Sequence, residues 1–150
     1  MPRYLALPAR PVLALERGDA GLCSAPMINI TLNEQSLPAS TRAQLDASLA
    51  VVRAWEKFEL WISTETGPMM CMLRNGESAW LMYLNEPGDS GFSSRGEVAR
   101  AGATTYTLAN GQVDEYPLSW CVSLSSCLQA IEEFWVNAGG LPSRISWNRD

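Results

Sequence analysis

Histidine is absent from the 150 residues, and lysine occurs once, at Lys57. Without an imidazole there is no Ser-His-Asp triad, no Cys-His pair and no histidine-ligated metal. No run approaches the roughly 18 apolar residues of a membrane-crossing helix, so no membrane partner is expected. A Walker-type phosphate loop is also missing; the glycines from Gly88 to Gly96 do not match its spacing. The four cysteines, Cys23, Cys71, Cys121 and Cys127, contain no C-x-x-C pair. Cys71 sits in an apolar run and Cys127 on the apolar side of a predicted helix. Both read as small core residues of a reducing compartment.

What is present is globular. Apolar residues make up 47% and charged residues 18% of the chain, and 150 residues suit one domain. The first 26 residues stand apart. They hold four of the nine prolines, show no clear periodicity and read as a poorly ordered N-terminal extension before a domain over 27–150. They also make a poor signal peptide: Pro8 and Pro11 interrupt the apolar stretch, and Glu16 and Asp19 follow closely. A cytoplasmic protein is expected, with Met27 an alternative start.

The formal net charge is -5 and the isoelectric point about 4.7. An acidic surface repels phosphate backbones, so direct nucleic-acid binding is not expected. It can attract a basic protein partner and speed docking. Plain solubility is the simpler account of the same charge.

Along the chain, MINITLN from Met27 reads as a strand. Ser40 and Thr41 are helix caps, and Leu45, Leu49 and Val52 form one apolar stripe on a helix of about four turns. FELWIST alternates Phe58, Leu60 and Ile62 with Glu59, Trp61 and Ser63, which turns Trp61 outward as a possible interface anchor. PMMCMLR and ESAWLMYL are apolar on both faces, as central strands are. They flank Asn75-Gly76, a type I′ hairpin signal. ATTYTLA and QVDEYPLSW flank a second such signal at Asn110-Gly111, and Pro117 confines the latter strand to an edge or breaks it. A final helix carries Leu124, Leu128, Ile131 and Trp135. Ser126 with Gln129 makes a capping box, Ser123 is an alternative cap, and Gly139-Gly140 is the stop. SRISW closes the chain as a short strand. The order predicts an α+β fold, a mostly antiparallel sheet with two main helices packed on it.

Candidate chemistry is sparse. The pairs Asp114-Glu115 and Glu132-Glu133 read as exposed acids rather than an acid–base couple. An oxygen-ligand metal site of Glu86, Asp89 and Asp114 lacks the calcium-loop pattern. No catalytic residue, metal or cofactor is assigned. The segment Asn85 to Gly102 reads as one long pliable loop, and such loops carry function. Glu86, Asp89, Phe92, Arg95 and Glu97 on it, with Asp114 and Glu115, are the candidate contacts for a protein partner.

AIEEFWVNAGGLPSRISW (Ala130 to Trp147) carries a family resemblance. Phe134 and Trp135 on a helix, the stop at Gly139 or Gly140, Pro142 and a closing strand ending in Trp147 resemble the Imm-one family of immunity proteins of bacterial polymorphic toxin systems. RNGESAWLMYLN, PGDSGFSS and YTLANGQVDEYP follow the same order upstream, so the resemblance covers roughly Phe58 to Trp147. It implies binding without chemistry: a cognate toxin domain as protein partner, occluded at its active site. Several family partners are nucleic-acid deaminases, whose clefts receive an extruded or single-stranded base. A non-catalytic adaptor with an unrelated partner, a histidine-free enzyme using carboxylates or Cys121, and a small-ligand binding module are the alternatives.

Overall fold

The computed structural model describes residues 27–97 and 99–149. The expected N-terminal extension, 1–26, lies outside the described residues. The elements in chain order are β1 (Ile28–Leu32), β2 (Gln35–Leu37), α1 (Arg42–Ala54), β3 (Lys57–Thr64), β4 (Met69–Asn75), β5 (Ser78–Leu84), β6 (Phe92–Arg95), β7 (Ala103–Thr107), β8 (Val113–Pro117), α2 (Leu124–Val136) and β9 (Ser146–Arg149). A short 3-10 turn, Leu118–Trp120, follows β8. Seven strands form one sheet in the order β2-β1-β3-β4-β5-β6-β9, every pair antiparallel, and β7 and β8 form a separate hairpin. The architecture is the expected α+β one, with the sheet dominant.

Strand alternation gives the sheet two apolar faces. Phe58, Leu60 and Ile62 of β3, Met70 and Met72 of β4, and Leu81 and Tyr83 of β5 join one core cluster with both helices. From α1 come Leu45, Leu49 and Val52; from α2 come Cys127, Leu128, Ile131 and Phe134. Each fully buried Leu, Ile or Phe adds roughly 1.5–3 kcal/mol. The opposite face holds Trp61, Cys71, Leu73, Trp80 and Met82, covered by Tyr106, Leu108 and Tyr116 of the β7–β8 segment. A sheet covered on both faces explains why β4 and β5 are apolar at successive positions.

That second layer corrects the reading of Trp61. It faces away from the helices, as the alternation requires, but is only 6% exposed because the hairpin lies over it.

Local chemistry sets the ends of the elements. Thr41 caps α1 by accepting the Gln44 N–H, and Gln44 returns a bond to the Ser40 N–H. Ser123, not Ser126, caps α2, accepting the Ser126 N–H at 3.1 Å. The stop of α2 also lies earlier than Gly139-Gly140. Gly139 donates to the Phe134 carbonyl and Ala138 to that of Trp135, with Ala138 at φ 53. That pair of bonds is a Schellman motif with alanine in the left-handed position usually held by glycine.

The turn between β4 and β5 differs from the type I′ expectation. Asn75 pairs with Ser78, so the two loop residues are Gly76 and Glu77. Gly76 has φ 62 and Glu77 is not among the positive-φ residues, the sign pattern of a type II′ turn with glycine first. At Asn110-Gly111 the hairpin forms, but Thr107 pairs with Val113 and Gly111 alone of the two has a positive φ, so this turn is not type I′ either; the Gly111 N–H closes it on the Leu108 carbonyl.

Candidate partner-binding surface

The segment 85–102 is not one pliable loop. Its middle is β6, which pairs with β5 through Met82↔Ser93 and Tyr83↔Phe92 and with β9 along its whole length. Serine and phenylalanine in FSSR carry too weak an apolar pattern to announce a strand. What makes it one is the long-range pairing with β9. Beyond β6 the chain stays pinned. The Gly96 N–H donates to the Ser119 carbonyl at 2.7 Å, and a Cβ at Gly96 would strike the Cys121 carbonyl oxygen. Only glycine fits so close an approach.

The seven candidate residues separate accordingly. Glu86 and Asp89 share the turn after β5, closed by the Asp89 N–H on the Glu86 carbonyl at 3.1 Å. Asp89 also holds that turn with its side chain, accepting the Asn85 N–H at 3.0 Å. Phe92 is half-buried and stacks on Tyr83 with ring centroids 6.3 Å apart. Arg95 and Glu97 are exposed at the far end of β6. Glu115 is exposed on the outer face of β8, whereas its neighbour Asp114 is 8% exposed beneath the hairpin. Asp114 accepts from Gln112 Nε2 at 2.8 Å and from the Tyr116 hydroxyl at 3.2 Å. The exposed side chains of the set are therefore Glu86, Arg95, Glu97 and Glu115, and Glu86 is separated from Arg95 and Glu97 by β6.

Two carboxylates outside the set become visible. Glu65 is exposed in the β3–β4 turn, and Gly67 of that turn lies against Asn85 and Glu86, so Glu65 joins Glu86 and Asp89 at one end of the sheet. The antiparallel order of β3, β4 and β5 carries that information, since it sends both turns to the same end. Glu59 is the second. Its carboxylate accepts the Trp61 indole N–H at 2.9 Å and the Ala109 backbone N–H at 2.9 Å, fastening the hairpin to the sheet.

Other charged side chains are engaged around α2. Arg42 pairs with Asp46 and with Glu132. Glu133 accepts from the Ser143 N–H and hydroxyl and from the Arg144 N–H. The Ser143 N–H is the main reason its carboxyl sits below the ordinary value. These side chains line an open cleft of about 650 Å³ with Gln129, Val136 and Arg144, in which each carboxylate already has its partner. Burial pushes the Cys121 thiol up, which opposes a reactive thiolate there; the Tyr106 hydroxyl, 3.0 Å from its sulfur, works in the other direction but is outweighed by burial. Among the described residues no group of three or more His, Cys, Asp or Glu side chains could hold a metal ion. No described helix is long and apolar enough to cross a membrane.

The chain thus presents a sheet buried on both faces, with its free acidic groups on turns and on the back of a hairpin, a scaffold suited to recognition by surface. The family model described as Immunity protein Imm1 matches residues 33–149, and the chain belongs to that family. The match reaches beyond Phe58 to Trp147 and takes in α1 and the turn after β1. No curated protein matches the chain.

Proposed function

We propose that this protein binds a cognate bacterial toxin domain in the cytoplasm of the producing cell, covers the toxin's active site and performs no catalysis itself. Family membership carries the immunity role. We further propose that the toxin is a nucleic-acid deaminase. Residues 27–150 hold 14 acidic and 8 basic side chains, a net charge of -6. An enzyme that holds a single strand needs a cationic surface, and an acidic inhibitor competes there with the polyanion. The contacts we assign are Glu86, Asp89, Phe92, Arg95, Glu97, Asp114 and Glu115. Of these, Glu86, Arg95, Glu97 and Glu115 have exposed side chains for direct contact. Asp89, Phe92 and Asp114 act by fixing the turn, the strand and the hairpin that present them.

Co-expression with the toxic domain encoded by the neighbouring gene tests this. Survival only in the presence of this protein, with co-elution of the two as a complex, supports it. Cell death despite expression, without a complex, overturns it. Deamination of single-stranded DNA or RNA by the free toxin, suppressed by this protein, tests the finer assignment.

A further inference from the structure

α1 turns Leu45, Ser48, Leu49 and Val52 into the core. At 3.6 residues per turn the line opposite carries Ala43, Ala47, Ala50 and Ala54, all exposed. Beside that line Val51 is 44% exposed, and Trp55, at the C-terminal cap, is 43% exposed. A surface helix ordinarily sets polar and charged residues on its outward face. Scattered exposed apolar residues need no account, but a contiguous set marks an interaction surface.

The other flank of this face is charged, with Arg42, Asp46 and Arg53. Asp46 and Arg53 are seven residues apart, two turns along one side of the helix. Asp46 bonds Arg42 within the chain, and Arg53 makes no ion pair among the described residues. Two copies of α1 laid antiparallel, with Ala50 near the two-fold axis, set Asp46 of each level with Arg53 of the other. Val51 and Trp55 then gather on the opposite flank. Each Trp55 comes level with the first turn of the second copy, where Ala43 and Ala47 leave room for an indole. A parallel pairing would instead oppose Asp46 to Asp46 and Arg53 to Arg53.

The geometry points to a second copy of this chain as the occupant of the α1 face, docked antiparallel about a two-fold axis near Ala50. Such an isologous contact closes at two copies. The alanines let the helix axes approach at the short end of the usual range of roughly 8–10 Å. A 13-residue helix is about 20 Å long, so the pair buries on the order of 1,000 Å², the low end for a specific interface. Association is therefore weak and depends on concentration. This inference goes beyond the immunity reading and does not rest on it.

Sedimentation velocity on the full chain, from low to high micromolar concentration, tests it. The mass is expected to rise from 16.4 kDa toward twice that value. Ala50→Arg holds the protein at monomer mass, with an unchanged melting temperature because the position is exposed. Asp46→Arg weakens association roughly tenfold through the symmetric pair of contacts. Adding Arg53→Asp to it restores association, which general damage to the helix would not allow. A monomer at every concentration overturns the proposal. So does a dimer that survives Ala50→Arg, or a monomer in which Ala50→Arg abolishes the toxin complex and thereby gives the face to the toxin.

Discussion

The Tyr83 hydroxyl donates a 2.6 Å hydrogen bond to the carbonyl of Gly139, joining β5 to the turn that ends α2. The same ring contacts Phe92, Phe134 and Trp147. Tyr83→Phe keeps those ring contacts and removes the bond, leaving a buried carbonyl without this donor. The expected loss is about 1–3 kcal/mol in urea unfolding, with an unchanged m-value.

Ala138 gives a prediction of opposite sign. Its φ of 53 lies in the left-handed region, where an L-residue costs about 1–2 kcal/mol and glycine nothing. Glycine gives part of that back as unfolded-chain entropy. Ala138→Gly should raise stability by roughly 0.5–1 kcal/mol, seen as a higher melting temperature with unchanged circular dichroism.

The buried thiols set the alkaline limit. Burial raises the pKa values of Cys71, Cys121 and Cys127, and the first and last are fully enclosed in the two cores. In the unfolded chain these thiols ionise near about 8.5. Above that pH the unfolded state has lost protons that the folded state keeps, so stability falls as pH rises. Unfolding free energy should be level up to about pH 8 and decline beyond it. Replacing Cys127 by alanine should flatten the slope, even though the cavity lowers the overall value. At the acid end the sign reverses. The depressed carboxyl of Glu133 contributes above its ordinary value of 4.5, and the contribution disappears as pH falls below that value through the folded pKa.

Exposed and buried acids of the proposed contact set should behave differently. Glu86→Lys and Glu115→Lys should each slow association with a cationic toxin surface by several-fold, and the effect should shrink as salt rises. Asp114→Ala should instead lower stability by about 1–3 kcal/mol, because Gln112 and Tyr116 lose a buried acceptor. Stopped-flow binding at two ionic strengths, alongside thermal melts, separates the two classes.

The helices were legible because their signals are local. Leu45, Leu49 and Val52, and Leu124, Leu128 and Ile131, repeat at helical spacing within a few residues of a capping hydroxyl. The central strands were legible from their double-sided apolar runs. β6 and Trp61 were not, since both depend on partners distant in sequence: Ser146–Arg149 for the strand, and Tyr106, Leu108 and Tyr116 for the covered indole. Asp114 misled for the same reason. An acid beside a hairpin turn looks exposed until the hairpin is known to lie flat on a sheet. Of the candidate contacts, the sequence supplied the acidic character, while the division by β6 emerges only from strand order.

The two apolar layers divide the tryptophans unevenly. Trp61, Trp80 and Trp120 belong to the layer beneath the hairpin, and Trp135 and Trp147 to the layer beneath the helices. Trp80 lies flat on Tyr116, with ring centroids 4.1 Å apart. Intrinsic fluorescence is therefore a built-in gauge of the hairpin. If it peels from the sheet while the helices hold, three indoles meet water, and the emission shifts to the red before the far-ultraviolet helical signal changes.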